Sequence, residues 1–108
     1  MHERFADRFC ASLPGAVRHE PFGPDMAVWK VAGYMFAAYT LEGQGLSLRA
    51  SNAIAAQLLI SQGRAVSAPY LQGGGWVLFP WETTPDELRL HIRRSYDTVR
   101  QENPVSQD

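Results

Sequence analysis

Residues 14–37, PGAVRHEPFGPDMAVWKVAGYMFA, decide the fold, because a loop rich in proline and glycine runs directly into a series of bulky residues. Residues 18–25 contain two prolines and a glycine, which predict a loop. Residues 27–32 and 35–41 are rich in aromatic and β-favouring side chains. They are joined at Gly33-Tyr34, a two-residue connection typical of hairpins. The segment therefore predicts two antiparallel strands after an irregular loop.

The hairpin is flanked by a third strand and by a helix. After a turn at residues 42–45, residues 46–49 alternate apolar and polar side chains, as a half-buried strand does. Before the loop, Phe5 and Phe9 lie one helical turn apart among charged residues, which predicts a first helix over residues 2–12. The first half of the chain is thus predicted to form one helix and a three-stranded meander.

The second half is predicted to contain a helix, two strands and a final helix. Ser51 or Asn52 can cap the second helix, and Gly63 suits its C-terminal end. Residues 65–68 and 76–79 favour strands.

The final helix has the clearest boundaries in the sequence. Thr84 is a favourable N-cap, Pro85 suits the first helical position and Glu87 completes a capping box. The helix is predicted to run from residue 85 to about residue 101. Residues 103–108 are polar and are expected to form a disordered tail.

This order of elements predicts an α+β fold, a two-layer sandwich in which helices cover one face of a five-stranded antiparallel sheet. At 108 residues the chain has the size of one domain, which we assign to residues 1–102. The single Cys10 cannot form an internal disulfide and is expected to be buried and inert. No apolar run is long enough to span a membrane, so a cytoplasmic location is expected.

The motifs of the chain resemble those of one family. Pro14-Gly15-Ala16, then Pro21-Phe22-Gly23-x-Asp25, then Lys30-Val31-x-Gly33-x-Met35-Phe36-Ala37 resemble the N-terminal half of the MmcQ/YjbR-like proteins. Ala68-Pro69-Tyr70-Leu71, Gly75-Trp76-Val77 and Ser95-Tyr96 continue the resemblance. The resemblance implies a small cytoplasmic protein with a secretion-chaperone-like or CyaY-like α+β fold, commonly described as DNA-binding. The same family implies a basic residue directly after the hairpin glycine, where this chain has Tyr34.

The basic residues are the candidates for binding double-stranded DNA. If DNA binds, Lys30, Arg49 and Arg64 are the first choices, because Lys30 and Arg49 occupy polar positions in strands and Arg64 follows the second helix. Tyr34 could stack on a base or contact a protein. The net charge of −1 gives this function no general support, since counterion release by Lys and Arg dominates DNA affinity.

The final helix offers a second basic surface with a competing interpretation. Arg89, Arg93 and Arg100 fall on one stripe that could follow phosphates. Asp86 and Asp97 lie on the same stripe at ion-pair spacing, and an ordinary solvated helix face is favoured over a DNA surface.

Other chemistry is weakly indicated, and two further hypotheses stay open. The three histidines lack partners at metal-ligand spacing, and no nucleophile motif is present, so we expect no metal, no cofactor and no catalytic residue. The apolar residues of the last strand lie on both of its faces, which suggests a protein-interaction or chaperone-like module, or a homodimer, that uses an open sheet face. A small-ligand site would need a concave pocket, which sequence alone cannot reveal.

Overall fold

The computed structural model describes residues 2–40, 43–68 and 75–103. Three helices and six strands are described in this part of the chain. They are α1 (His2–Ala11), β1 (Val17–His19), β2 (Met26–Val31), β3 (Tyr34–Thr40), β4 (Gly45–Arg49), α2 (Ala53–Ser61), β5 (Val66–Ser67), β6 (Trp76–Pro80) and α3 (Pro85–Glu102). The strands form one antiparallel sheet in the order β1-β2-β3-β4-β6-β5. The predicted α+β class is confirmed, with six described strands instead of five.

The additional strand, β1, lies where the sequence favours a loop. Its three residues pair with β2, Val17 opposite Lys30 and His19 opposite Val28. The prolines and the glycine of this segment lie beyond β1, at residues 21–24, so they interrupt only the connection to β2. A three-residue edge strand carries too little pattern to be recognised from sequence.

The β2–β3 hairpin turns one residue earlier than predicted. Ala32 and Gly33 form the connection, with φ of 54° and 86°, which is the left-handed backbone that a tight hairpin turn requires at both central residues. Further along, the pairing register shifts between Trp29 and Lys30, which leaves Phe36 without a partner in the β2–β3 register. Phe36 is fully buried, and its ring meets that of Tyr96 edge-on at 5.5 Å.

The core lies between one face of the sheet and the three helices. Val77 and Phe79 of β6 point into it, as the predicted alternation requires. The core residues from the helices include Ala6, Cys10, Ala56, Leu88, Ile92, Tyr96 and Val99. On the opposite face Val28, Ala38, Ser47 and Leu78 lie side by side across the four central strands. Among the described helices, none is long and apolar enough to cross a membrane.

Helices α2 and α3 begin at the caps that the sequence predicts. The side chain of Asn52 accepts a hydrogen bond from the backbone nitrogen of Ala55 at 2.8 Å. The hydroxyl of Thr84 accepts one from the nitrogen of Glu87 at 3.3 Å, and Pro85 opens the first turn. The predicted tail at 103–108 lies outside the described residues except for Asn103, which ends α3. The two caps determine the residues at which α2 and α3 begin. Both helices lie on the same side of the sheet.

Candidate functional site

The six predicted binding residues lie in three separate places. Lys30 is half-buried in β2, between the core residues Trp29 and Val31, so it lies on the opposite face of the sheet from the helices. Tyr34 begins β3 beside it and is 53% exposed. Both residues lie at the end of the hairpin, but Tyr34 pairs with the core residue Val31 and so lies on the helix-covered face, whereas Lys30 is separated by the sheet from the remaining four.

Arg89 and Arg93 lie on the exposed surface of α3, each beside an acidic residue. Arg89 pairs with Asp86, and Arg93 Nε lies 3.4 Å from Asp97 Oδ1. Both ion pairs were expected from the helical spacing. The guanidinium of Arg89 also lies over the ring of Phe5 in α1, 5.4 Å from its centroid. These contacts describe a solvated helix face in which the positive charge is locally balanced.

Arg49 and Arg64 line one cleft of about 250 Å³. The cleft lies between α2 on one side and α3 on the other, with the ends of β4 and β6 below. Its described lining residues are Arg49, Ala50, Ser51, Ala55, Leu58, Leu59, Gln62, Arg64, Val77, Phe79, His91 and Arg94. This set includes three arginines and no aspartate or glutamate. The wall that α2 contributes is apolar because the helix carries no charged residue.

Arg49 is held in the cleft by contacts at both ends. Its backbone nitrogen donates to the hydroxyl of Ser95 in α3 at 2.9 Å, and its Nη2 donates to Glu102 Oε2 at 2.8 Å. Its Nε is buried and has no hydrogen-bond partner. Gly75 packs directly against this atom, since a Cβ at Gly75 would come within 2.6 Å of it. The guanidinium is therefore fixed in place with one donor unused.

Arg64 and Arg94 supply positive charge from opposite sides of the cleft. Arg64 follows α2, and its Nε lies 3.3 Å from Glu87 Oε2. Arg94 is exposed on α3, and no carboxylate of the described residues forms an ion pair with it. The cleft has therefore an excess of positive charge even after Glu87 and Glu102 are counted.

His91 lies at the bottom of the cleft between these charges. It is 6% exposed, and its ring stacks on that of Phe79 with the centroids 4.3 Å apart. Burial, and then the positive charge of Arg94, lower the pKa of His91 from its usual value. Its Nε2 is buried without a hydrogen-bond partner, since Glu87 Oε2 is 4.0 Å away. A neutral imidazole thus offers an unused polar atom near Arg64 and Arg94.

Comparison with known proteins assigns the chain to a family. The family model YjbR matches residues 11–98. The chain belongs to the YjbR family. The resemblance stated from the sequence motifs is therefore confirmed over most of the chain.

A solved structure shares the fold of this YjbR-family chain. It is the crystal structure of the Deinococcus radiodurans protein DR2400, described with the domain DUF419. The two agree with a TM-score of 0.80 at 20% sequence identity, over 94% of this chain and 80% of that one. This likeness shows a common fold. No curated protein matches the chain.

Sequence reasoning missed two residues of the YjbR-family chain's cleft, His91 and Arg94. The helical spacing of α3 predicts one arc facing the sheet, formed by Leu88, Ile92, Ser95, Tyr96 and Val99, and all five are buried. His91 lies one step of about 40° beyond this arc, and Arg94 lies further along the same side. The helical periodicity could have placed both on the α2 side of α3. It could not have shown that α2 leaves a cavity there.

The remaining reactive side chains do not join this site. Cys10 is fully buried in α1, and burial raises the pKa of its thiol. Within residues 2–40, 43–68 and 75–103, no group of three or more His, Cys, Asp or Glu side chains is arranged to hold a metal ion. The cleft between α2 and α3 is therefore the site that the geometry favours.

Proposed function

We propose that this chain is a non-catalytic binding domain and that the cleft between α2 and α3 binds an anionic ligand. The observation that carries the proposal is the convergence of Arg49, Arg64 and Arg94 on one cavity whose described lining contains no carboxylate. Guanidinium groups offer only donors and stay charged at every physiological pH. They match the oxygens of phosphate and carboxylate groups.

Binding is favoured over catalysis by the kind of polar group that lines the cleft. Arginine does not exchange protons near neutral pH, so the three guanidinium groups can hold charge but cannot serve as general acids or bases. His91 could exchange a proton, but the described groups that act on it are Arg94, Arg64 and Glu87 and its ring stacks on Phe79, so none of these neighbours is a hydroxyl or thiol nucleophile that it could activate. We therefore retain the expectation that the chain is not an enzyme as part of this proposal.

Duplex DNA is the second candidate ligand, because two of the residues selected from the sequence, Arg49 and Arg64, share a cleft with Arg94. Phosphate is common to both candidates. Three contacts would make the affinity fall with salt, with a slope of log K against log salt of about −2.7. The charge of Lys30 lies across the sheet from this cleft and would not join the same contact.

The first test compares two double variants that remove equal charge from the exposed basic surface. Arg64→Ala/Arg94→Ala removes two cleft arginines, and Arg89→Ala/Arg93→Ala removes two from the outer face of α3. Calorimetric titration with pyrophosphate at constant ionic strength should show that the affinity of the first variant is lower by about tenfold or more, because charge-assisted hydrogen bonds are lost. The second variant should bind as the unmodified protein does.

The same variants distinguish a small phosphate ligand from the backbone phosphates of duplex DNA. Fluorescence anisotropy of a labelled mixed-sequence duplex is measured at two low salt concentrations, with Lys30→Ala as a further control. Binding of pyrophosphate without binding of duplex assigns the cleft to small ligands. Salt-sensitive duplex binding that weakens only in Arg64→Ala/Arg94→Ala assigns it to nucleic acid. Equal weakening in both double variants, for both ligands, would contradict a localised site.

A further inference from the structure

We propose that the ligand of the cleft is a small amphipathic oxyanion, a carboxylate or phosphomonoester carried on a compact apolar body of about one ring. This inference rests on the proposed function and specifies the ligand of the same site. It follows from two features of the cleft, which are the unused polar atoms at its bottom and the apolar wall beside them.

The first feature is a pair of buried polar atoms with no partner. Across the described residues, the buried side-chain nitrogen and oxygen atoms without a hydrogen bond are Arg49 Nε and His91 Nε2, and both residues line this cleft. Native structures leave few buried polar groups unpaired, because each costs free energy. The Nε–H of arginine can only donate. Gly75 covers Arg49 Nε, so the polar atom left for a ligand is His91 Nε2, and the charges of Arg64 and Arg94 favour an anionic oxygen as its partner.

His91 adds a hydrogen bond without adding full charge. The groups that act on its imidazole are Arg94 and Glu87 from α3 and Arg64 from the end of α2. Two of the three are positive, and together with burial they keep the ring neutral. A neutral imidazole carries one N–H, which can donate from Nε2 to an oxygen of the ligand. His91 thus provides a hydrogen bond at the bottom of the cleft, while Arg64 and Arg94 provide charge nearer its mouth.

The second feature is the apolar wall opposite the charges. Leu58, Leu59 and Ala55 of α2 form this wall, above the fully buried Val77 and Phe79 of β6. Leu58 is 54% exposed, so part of this wall is in water when the cleft is empty of ligand. A purely inorganic anion would leave these side chains uncovered. An apolar group attached to the oxyanion would cover them and gain the free energy of burial.

The size of the cleft limits the apolar body. Pockets for drug-sized ligands measure roughly 300–1,000 Å³. At about 250 Å³ this cleft lies below that range and suits an oxyanion with a single ring or a short chain. The backbone phosphates of a duplex could contact only its mouth.

The test is a calorimetric series of four probes at pH 7.5 and constant ionic strength. Phenyl phosphate and benzoate carry both parts of the ligand, inorganic phosphate carries only the anion, and phenol carries only the ring. We expect phenyl phosphate to bind about tenfold or more tightly than inorganic phosphate, and phenol not to bind measurably. Comparison of phenyl phosphate with benzoate identifies which oxyanion is preferred, and either preference supports the inference.

Exposed residues of α2 provide a matched pair of variants that leave the core intact. Leu58→Ser removes part of the apolar wall, and Ile54→Ser removes a more exposed apolar side chain of the same helix that does not line the cleft. Leu58→Ser should reduce the preference for phenyl phosphate over phosphate several-fold and leave phosphate binding unchanged. Ile54→Ser should change neither. Arg94→Ala should weaken every anionic probe, whereas Arg93→Ala on the same helix should weaken none.

The outcomes distinguish this inference from the proposal on which it rests. If inorganic phosphate binds as tightly as phenyl phosphate, the cleft remains an anion site and the amphipathic ligand is overturned. If phenol binds as tightly as phenyl phosphate, the charged groups contribute nothing and both proposals are overturned. If no anionic probe binds, both are likewise overturned.

Discussion

His91 contributes both to the packing of the core and to the electrostatics of the cleft. Its ring completes the core by stacking on Phe79, while its Nε2 lies in the cleft near Arg64 and Arg94. A protonated imidazole there would lie beside Arg94 and Arg64 with only Glu87 to oppose the repulsion. The side chain therefore serves the fold as a neutral, apolar ring and serves the cleft as a hydrogen-bonding group.

The position of His91 predicts a loss of stability in mild acid. Because its pKa is lower in the folded protein than the usual 6.5, the unfolded chain binds more protons as the pH falls below that value. The free energy of unfolding should therefore decrease from pH 7.5 to pH 5.5, with a slope from this residue of at most about 1.4 kcal/mol per pH unit. Urea unfolding of the protein and of His91→Phe measures the effect. The variant keeps a ring against Phe79 and should have a smaller slope; identical slopes would contradict this account.

The sequence identified some cleft residues and missed others. Arg49 was selected as a charge in an apolar strand, and the structure places it in the cleft. His91 was overlooked because a helical histidine next to a core arc has no distinctive spacing. Lys30 is also a charged residue in an apolar strand, but it lies on the face of the sheet away from the helices. Alternation within a strand does not show which of its two faces the helices cover.

At the scale of elements, Ser95 joins α3 to two strands at once. Its hydroxyl accepts from the backbone nitrogen of Arg49 in β4 and donates to the carbonyl of Phe36 in β3 at 2.5 Å. The residue is fully buried. This single side chain thus satisfies one backbone donor and one backbone acceptor of the sheet. It thereby fixes the position of α3 relative to β3 and β4, beside the cleft.

Removal of this hydroxyl should destabilise the protein. In Ser95→Ala two buried backbone groups lose their partner, which predicts a decrease of roughly 1–3 kcal/mol in the free energy of unfolding. Ser61→Ala is the matched control, because its hydroxyl bonds only to the carbonyl of Leu58 on an exposed part of α2 and should change stability by less than about 0.5 kcal/mol. Urea denaturation compares the two. Equal effects would show that Ser95 does not connect the elements as described.

Elements with local signals were recovered from the sequence. The caps of α2 and α3 rest on hydrogen bonds within a few residues of each other, so their starting points follow from residues such as Asn52 and Thr84. Strand β1 has no such signal, because it exists through its pairing with β2. The cleft arises from the separation of α2 and α3, which depends on packing across the sheet.

At the scale of the whole molecule, charge is distributed in pairs rather than collected on one side. Arg89 and Arg93 each have an acidic neighbour on the same helix, and Arg49 and Arg64 each contact a glutamate of α3. The net charge of −1 agrees with this balance. An extended DNA-binding face would need a larger excess of positive charge, whereas a compact anion site needs only a local one.

The face of the sheet opposite the helices gives a prediction about assembly. Val28 and Ala38 at its centre are buried, whereas Val17 and Val66 on the two outer strands are about half exposed and offer apolar surface. If this face binds a second copy, as the homodimer hypothesis holds, light scattering across micromolar concentrations should show a dimer. Val17→Glu would place a charge on an exposed part of this face, opposite Lys30 of β2, and should restore a monomer. A monomer mass for the unmodified protein at every concentration would count against self-association through this face.

The measurement that tests the central claim most directly is a phosphate titration followed at the histidine side-chain nitrogens by NMR. The chain has three histidines, so the signals can be assigned with single variants. We predict a saturable shift of the His91 Nε2 signal that is absent in Arg64→Ala/Arg94→Ala, while His19, which lies on β1 away from the cleft, is unchanged. A His91 signal that does not respond, or one that moves no more than that of His19, would contradict an anion site between α2 and α3.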